Sequence, residues 1–161
     1  MHADQRGFSL IELLIVVAII LIIAAIAIPN LLRSRIVANQ ASAIAGLRVI
    51  NTSEINYASS YGQGYSSTLL QLGPPSTGNL PNSQAAGMMD SILAGGLKSG
   101  YSFSYVPANP DANGNYEAFS ATASPTQVGT TGTAYYYTDQ TYVIRTNVAG
   151  TASVADSAIA Q

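Results

Sequence analysis

Hydrophobic and polar positions fall into three regimes along the chain. From Leu13 to Ile28 every residue is apolar, and Phe8, Leu10 and Ile11 carry the run back toward the start. Counted from Phe8 it is about 21 residues, or roughly 31 Å as a helix, which matches a bilayer core. After Pro29 the pattern becomes amphipathic. Leu32, Ile36, Ala43, Leu47, Ile50 and Tyr57 fall on one arc of a 3.6-residue helix, with Ser34, Ala38, Ala45, Thr52 and Asn56 opposite. No convincing stop signal separates the two stretches, so they predict one helix over 8–59, roughly 75 Å long. Its second half offers a core face for the rest of the protein. Its first half must contact lipid or copies of itself.

The third regime is mixed. Residues 60–100 are rich in Gly, Ser and Pro and read as a loop region, with Leu69, Leu70 and Leu72 packing beneath it. A short helix is expected over 83–94, ended by Gly95-Gly96. In GYSFSYV the aromatic residues Tyr101, Phe103 and Tyr105 alternate with small ones. NPDANGN then supplies a turn and YEAFSATA a return strand. A second pair is expected over 134–138 and 141–147, with the tail after Gly150 frayed or adding an edge strand. The sum is an α+β protein: a long N-terminal helix packed on a three- or four-stranded antiparallel sheet.

Composition narrows the chemistry. The chain has 161 residues, no Cys, and only 9% charged residues with a formal net charge of -2. Disulfides and thiolate metal sites are therefore impossible, and no electrostatic footprint for nucleic acid is present. The single histidine, His2, lies at the polar start. If that start is removed, the commonest general base and metal ligand go with it, so neither an enzyme nor a bound cofactor is expected. Asp111, Asn113 and Asn115 have the spacing of a calcium loop. Tyr116 stands where its Gly is needed and Thr122 where its bidentate Glu is needed, so an Asn- and Gly-rich turn is the better reading and no metal is expected. The ten tyrosines read as packing on half-buried strands.

One residue resists the membrane pattern. Glu12 sits five residues into the apolar stretch, and an ionisable group there is a functional-site hypothesis whose partner should be named. Three readings compete for this segment. A secretory signal peptide would be cut after Ala25-Ile26-Ala27 and start the mature chain at Ile28, releasing a soluble domain. Its positive n-region would be weak, since Asp4 offsets Arg6. An ordinary transmembrane anchor leaves Glu12 unexplained. With Arg33 and Arg35 following the span, a count of basic residues alone puts the C-terminal side in the cytoplasm.

The third reading takes Arg6-Gly7 followed by Phe8-Ser9-Leu10-Ile11-Glu12-Leu13-Leu14 and the apolar run as one unit. From about Arg6 through Asn30 it resembles the type IV prepilins, which share this signature with the pseudopilins of type II secretion. The resemblance implies a leader of residues 1–7, removed by a prepilin peptidase between Gly7 and Phe8 on the cytoplasmic side. It also implies N-methylation of the new Phe8 amine, and an orientation opposite to the basic-residue count. Residues 8–30 would be the membrane and filament-core half of the helix, 31–59 the amphipathic half, and 60–161 a globular head with its sheet over 101–147.

By the same resemblance, Glu12 of an incoming subunit pairs with the Phe8 amine of a docked one. The partners implied are further copies of the chain in a helical filament, membrane lipid before assembly, the prepilin peptidase and the assembly machinery of the bacterial inner membrane. The implied destination is a pilus at the cell surface, with a secretion pseudopilus as the alternative. Many pilins carry a glycine midway along the apolar run, where this chain has Leu21. Pro29 is retained and predicts a kink. Arg33, Arg35, Arg48 and Glu54 are candidates for charge pairs between subunits.

Overall fold

The structure is a computed structural model that describes residues 8–159. The expected leader 1–7, and with it the Gly7 side of the expected cleavage point, lies outside the described residues. Helix α1 runs from Leu10 to Tyr61, 52 residues. It ends where Gly62 takes a left-handed φ of 64° and returns its N–H to the Ala58 carbonyl at 3.0 Å. That is the helix stop for which glycine, lacking a Cβ, is suited. The chain divides into two units between Arg35 and Ile36. The first holds the apolar part of α1. The second is the globular unit and contains the remainder of α1.

In the globular unit one face of α1 is buried: Ala43, Gly46, Leu47, Ile50, Asn51, Ser53, Glu54 and Tyr57. Four of the six positions expected on the core arc lie there. Ile36 is half-buried and Leu32 is 50% exposed. The residues expected opposite are all exposed.

Six antiparallel strands follow in chain order, each paired with the next. They are β1 (Leu97–Lys98), β2 (Tyr101–Pro110), β3 (Tyr116–Pro125), β4 (Tyr135–Asp139), β5 (Arg145–Asn147) and β6 (Ser157–Ala158). Both expected strand pairs form. The sheet exceeds three or four strands because two-residue strands, β1 and β6, extend its edges. Strand β5 starts later than expected. Tyr142 takes a φ of 62° and donates its N–H to the Asp139 carbonyl, so the chain turns at 139–142 before rejoining the ladder.

Alternation sends Tyr101 and Phe103 of β2, Phe119, Ala121 and Ala123 of β3, and Tyr136 of β4 into one core with Leu47 and Ile50. Gly46 lets the sheet approach closely. A Cβ there would lie 2.8 Å from Phe103 Cζ and 2.9 Å from its Cε1.

Residues 62–96 close the core with two single-turn helices, α2 (Leu69–Leu72) and α3 (Ser91–Ala94). The helix expected over 83–94 is reduced to its last turn. The N–H groups of Ala86, Met88 and Met89 bond the carbonyls of Gln71 and Leu72 instead of their own preceding turn, and Gly87 has a φ of 66°. Asp90 then starts α3, its Oδ1 accepting from Ile92 N at 3.1 Å and Leu93 N at 2.9 Å. Leu69 and Leu72 are buried as expected, but Leu70 is 68% exposed, since consecutive residues of one helical turn cannot share a face.

Candidate functional site

The start of α1 is where the sequence concentrates its chemistry. Ser9 and Glu12 stand at the Ser-x-x-Glu spacing of a capping box, in which the acid reaches back to the first backbone N–H. The Ser9 N–H donates to Glu12 Oε2 at 2.8 Å, and the Leu13 N–H to the Ser9 carbonyl at 3.2 Å. A carboxylate in the first turn also faces the positive end of the helix dipole. An argument from membrane cost alone passes over this local role, although the spacing of Ser9 and Glu12 signals it. Among the described residues Glu12 Oε1 has no partner, so one oxygen holds the turn and one is available.

Around this turn the surface is apolar without interruption. Phe8 is 84% exposed, and from Leu10 to Leu32 the large aliphatic side chains are 46–81% exposed. The helix is long and apolar enough to cross a membrane. It continues unbroken through Pro29, which leaves the Ala25 carbonyl without its usual donor. One turn on, Ser34 Oγ donates to the Asn30 carbonyl at 3.0 Å, a second interaction of a kind that bends helices.

The candidate charges separate into two kinds. Arg33, Arg35 and Arg48 are exposed. The ion pair found among the described residues is Lys98 with Asp90, at 2.8 Å, so none of the three arginines has an acidic partner there. Glu54 is different and corrects the expectation of a surface charge, because it is fully buried. Its Oε1 accepts from Ser66 Oγ at 2.6 Å and its Oε2 from the Ser66 N–H at 2.9 Å. Tyr105 closes the group by donating its hydroxyl to the Ser66 carbonyl at 2.8 Å. Burial pushes the Glu54 carboxyl above its ordinary range, against the opposing hydrogen bonds from Ser66 and Tyr105. Burial likewise pushes the Tyr105 phenol up, helped by the Glu54 charge. Position 54 follows Leu47 and Ile50 on the same helix arc, a periodicity that already assigned it to the core.

The calcium-like spacing resolves into a turn. Asp111 Oδ1 accepts from the N–H groups of Asn113 and Asn115, both at 2.8 Å, and Oδ2 from Asn115 Nδ2 at 3.1 Å. No cluster of acids and histidines that could hold a metal occurs among the described residues.

Residues 2–28 match the prokaryotic N-terminal methylation motif. Over 55 residues the chain is 47% identical to the type IV major pilin protein PilA of Myxococcus xanthus, a stretch covering 34% of this chain and 25% of that protein. Its N-terminal segment is thus similar to that of type IV pilins. Over 36 residues it is 64% identical to the type IV wide pilus major component PilA4 of Thermus thermophilus, covering 22% of this chain and 28% of that one. The match thus spans about a quarter of each curated relative's length. No solved structure matches the chain. The long helix on an antiparallel sheet is the pilin-like α+β arrangement, and pilins as a family are structural proteins.

Proposed function

We propose that the chain is the structural subunit of a type IV pilus. It waits in the bacterial inner membrane as a prepilin, loses its leader after Gly7, is N-methylated at Phe8, and polymerises into a surface filament through α1. The carrying observation is the apolar half of α1, exposed on every side and headed by one carboxylate. Each large aliphatic side chain gains about 1.5–3 kcal/mol on full burial, so this surface favours lipid or sister helices over water. Glu12 costs about 2.5–3.5 kcal/mol in hydrocarbon on insertion scales, as does a cationic amine, and pairing them between subunits relieves both. That favours leaving the membrane for the filament. The two named relatives are pilus components, which supports a pilus over a secretion pseudopilus.

The test is the intact mass and N-terminal residue of the mature protein from membranes and from sheared surface material. A methylated Phe8 terminus in sheared filaments supports the reading. A methylated terminus with a secretion defect and no filaments assigns the chain to a pseudopilus, and a start at Ile28 overturns the assembly role of Glu12 altogether.

A further inference from the structure

A second site lies in the globular unit, in a cleft of about 250 Å³ between the end of α1, the 65–67 segment and the β2–β3 turn. Gln63, Ser67, Gln71, Gln84, Asn115 and Tyr116 are among its lining residues, and no charged side chain lines it. Small-molecule sites are usually apolar with a few placed polar groups. This one inverts that balance.

Its hydrogen bonds fix which amide atoms are left over. A backbone N–H can only donate, so the Ser67 N–H, 2.8 Å from the Gln71 side chain, identifies the atom it meets as Oε1. Gln71 Nε2 therefore faces Gln84 at 3.1 Å and must meet its oxygen. Gln84 Nε2 keeps both its N–H groups unspent among the described residues. The backbone of Gln84 is itself held, its N–H donating to Asn82 Oδ1 at 2.9 Å. Asn115 also lines the cleft, and one N–H of its Nδ2 donates to Asp111 Oδ2, which fixes its amide and leaves Oδ1 without a partner among the described residues. Both oxygens of that Asp111 carboxylate are already engaged by the turn. Tyr116 adds a ring and a hydroxyl.

We infer that this cleft binds a neutral saccharide unit. Amide donors at Gln84 and an amide acceptor at Asn115 in one lining suit a ligand whose hydroxyl groups both donate and accept, and Tyr116 in the same lining supplies an aromatic ring of the kind a sugar ring packs on. With no cation in the lining, an anionic sugar has nothing to neutralise it, and the Asp111 carboxylate behind Asn115 repels it. The site is independent of filament assembly, so its failure leaves the pilin reading intact.

The test is saturation-transfer NMR on the full chain in dodecylphosphocholine micelles, which carry no sugar headgroup. The probes are D-glucose, D-galactose and N-acetyl-D-glucosamine, with D-glucuronate as the charged counterpart. Transfer to at least one neutral sugar is expected, with weaker or absent transfer to glucuronate. Binding should fall about fivefold in Gln84→Ala, the effect of losing one neutral hydrogen bond, and also in Gln63→Ala, at unchanged thermal midpoints. Transfer to none of the three neutral sugars overturns the assignment and leaves a water-filled cleft. Equal binding of glucuronate, or undiminished binding in both variants, overturns it as well.

Discussion

Replacing Glu54 tests whether a buried carboxyl ties α1 to the loop that follows it. Glu54→Ala removes both carboxylate oxygens that accept from Ser66, whose own side chain is fully buried. The Ser66 hydroxyl keeps the Thr68 carbonyl at 3.2 Å, but its backbone N–H is left without a partner. An orphaned buried donor costs about 1–3 kcal/mol, and the lost hydroxyl–carboxylate bond adds about another 1–2 kcal/mol. At about 2.1 cal/mol/K of unfolding entropy per residue, a total of about 2–5 kcal/mol lowers the midpoint of the globular unit by about 8–19 °C.

Glu54→Gln separates charge from contact. Its amide oxygen still accepts the Ser66 N–H, and its NH₂ donates to the Ser66 hydroxyl. The sign follows from burial. Because the folded-state value lies above the ordinary 4.5, folding favours the protonated acid. That contribution is fully present below 4.5 and is lost as pH rises through the raised value. Wild type should therefore lose stability relative to Glu54→Gln as pH rises from 4.5 through that raised value. Thermal unfolding of the full chain in micelles, followed by circular dichroism, measures both effects. A Glu54→Ala midpoint within about 2 °C of wild type, against the shift worked from the hydrogen bonds, refutes the tie. A wild-type to Glu54→Gln difference that does not change with pH refutes the buried-charge argument.

Three further outcomes can be checked on the same material. Gly46→Ala should destabilise by about 1–3 kcal/mol, because its Cβ meets the Phe103 ring at 2.8 Å, less about 1 kcal/mol of helix propensity gained; a net gain in midpoint would mean that the ring yields. Leu47→Ala, at a fully buried position, should cost about 2–5 kcal/mol by denaturant unfolding, and a loss under about 1 kcal/mol would exclude Leu47 from the core. The Tyr101 phenol donates to the Ala134 carbonyl at 2.9 Å, and burial pushes it up to about 12. Its stabilising contribution is full below 10 and lost as pH rises toward 12. Ultraviolet titration of the tyrosines should therefore show a fraction that ionises only on alkaline unfolding, whereas complete ionisation by pH 11 with the fold intact would contradict the buried bond.

Periodicity carried most of the fold. Runs that alternate at 2 or 3.6 residues expose their buried face directly, so α1, β2, β3 and β4 were all legible. Residues 62–96 were not, because their order comes from long-range bonds. The Met88 and Met89 N–H groups satisfy a carbonyl of α2, a pairing that no local pattern encodes. The two-residue edge strands β1 and β6 carry too few positions to show alternation. At the site, the Phe8–Glu12 segment stood out because a carboxylate in an apolar run is costly. Its cap on Ser9 was equally readable from spacing. Glu54 was misplaced through weighing its charge ahead of its position on the helix arc.

The Ser9–Glu12 contact has a consequence for the order of events on the proposed assembly path. A first helical turn normally forms at a loss, because several torsions are fixed for one hydrogen bond. Here the carboxylate that awaits a partner amine has already helped fix those torsions. A docking subunit then meets a preset oxygen instead of a side chain sampling rotamers, and part of the entropy of capture is spent before encounter. A change at position 12 that keeps length but cannot accept the Ser9 N–H would slow nucleation of the helix as well as weaken the pairing.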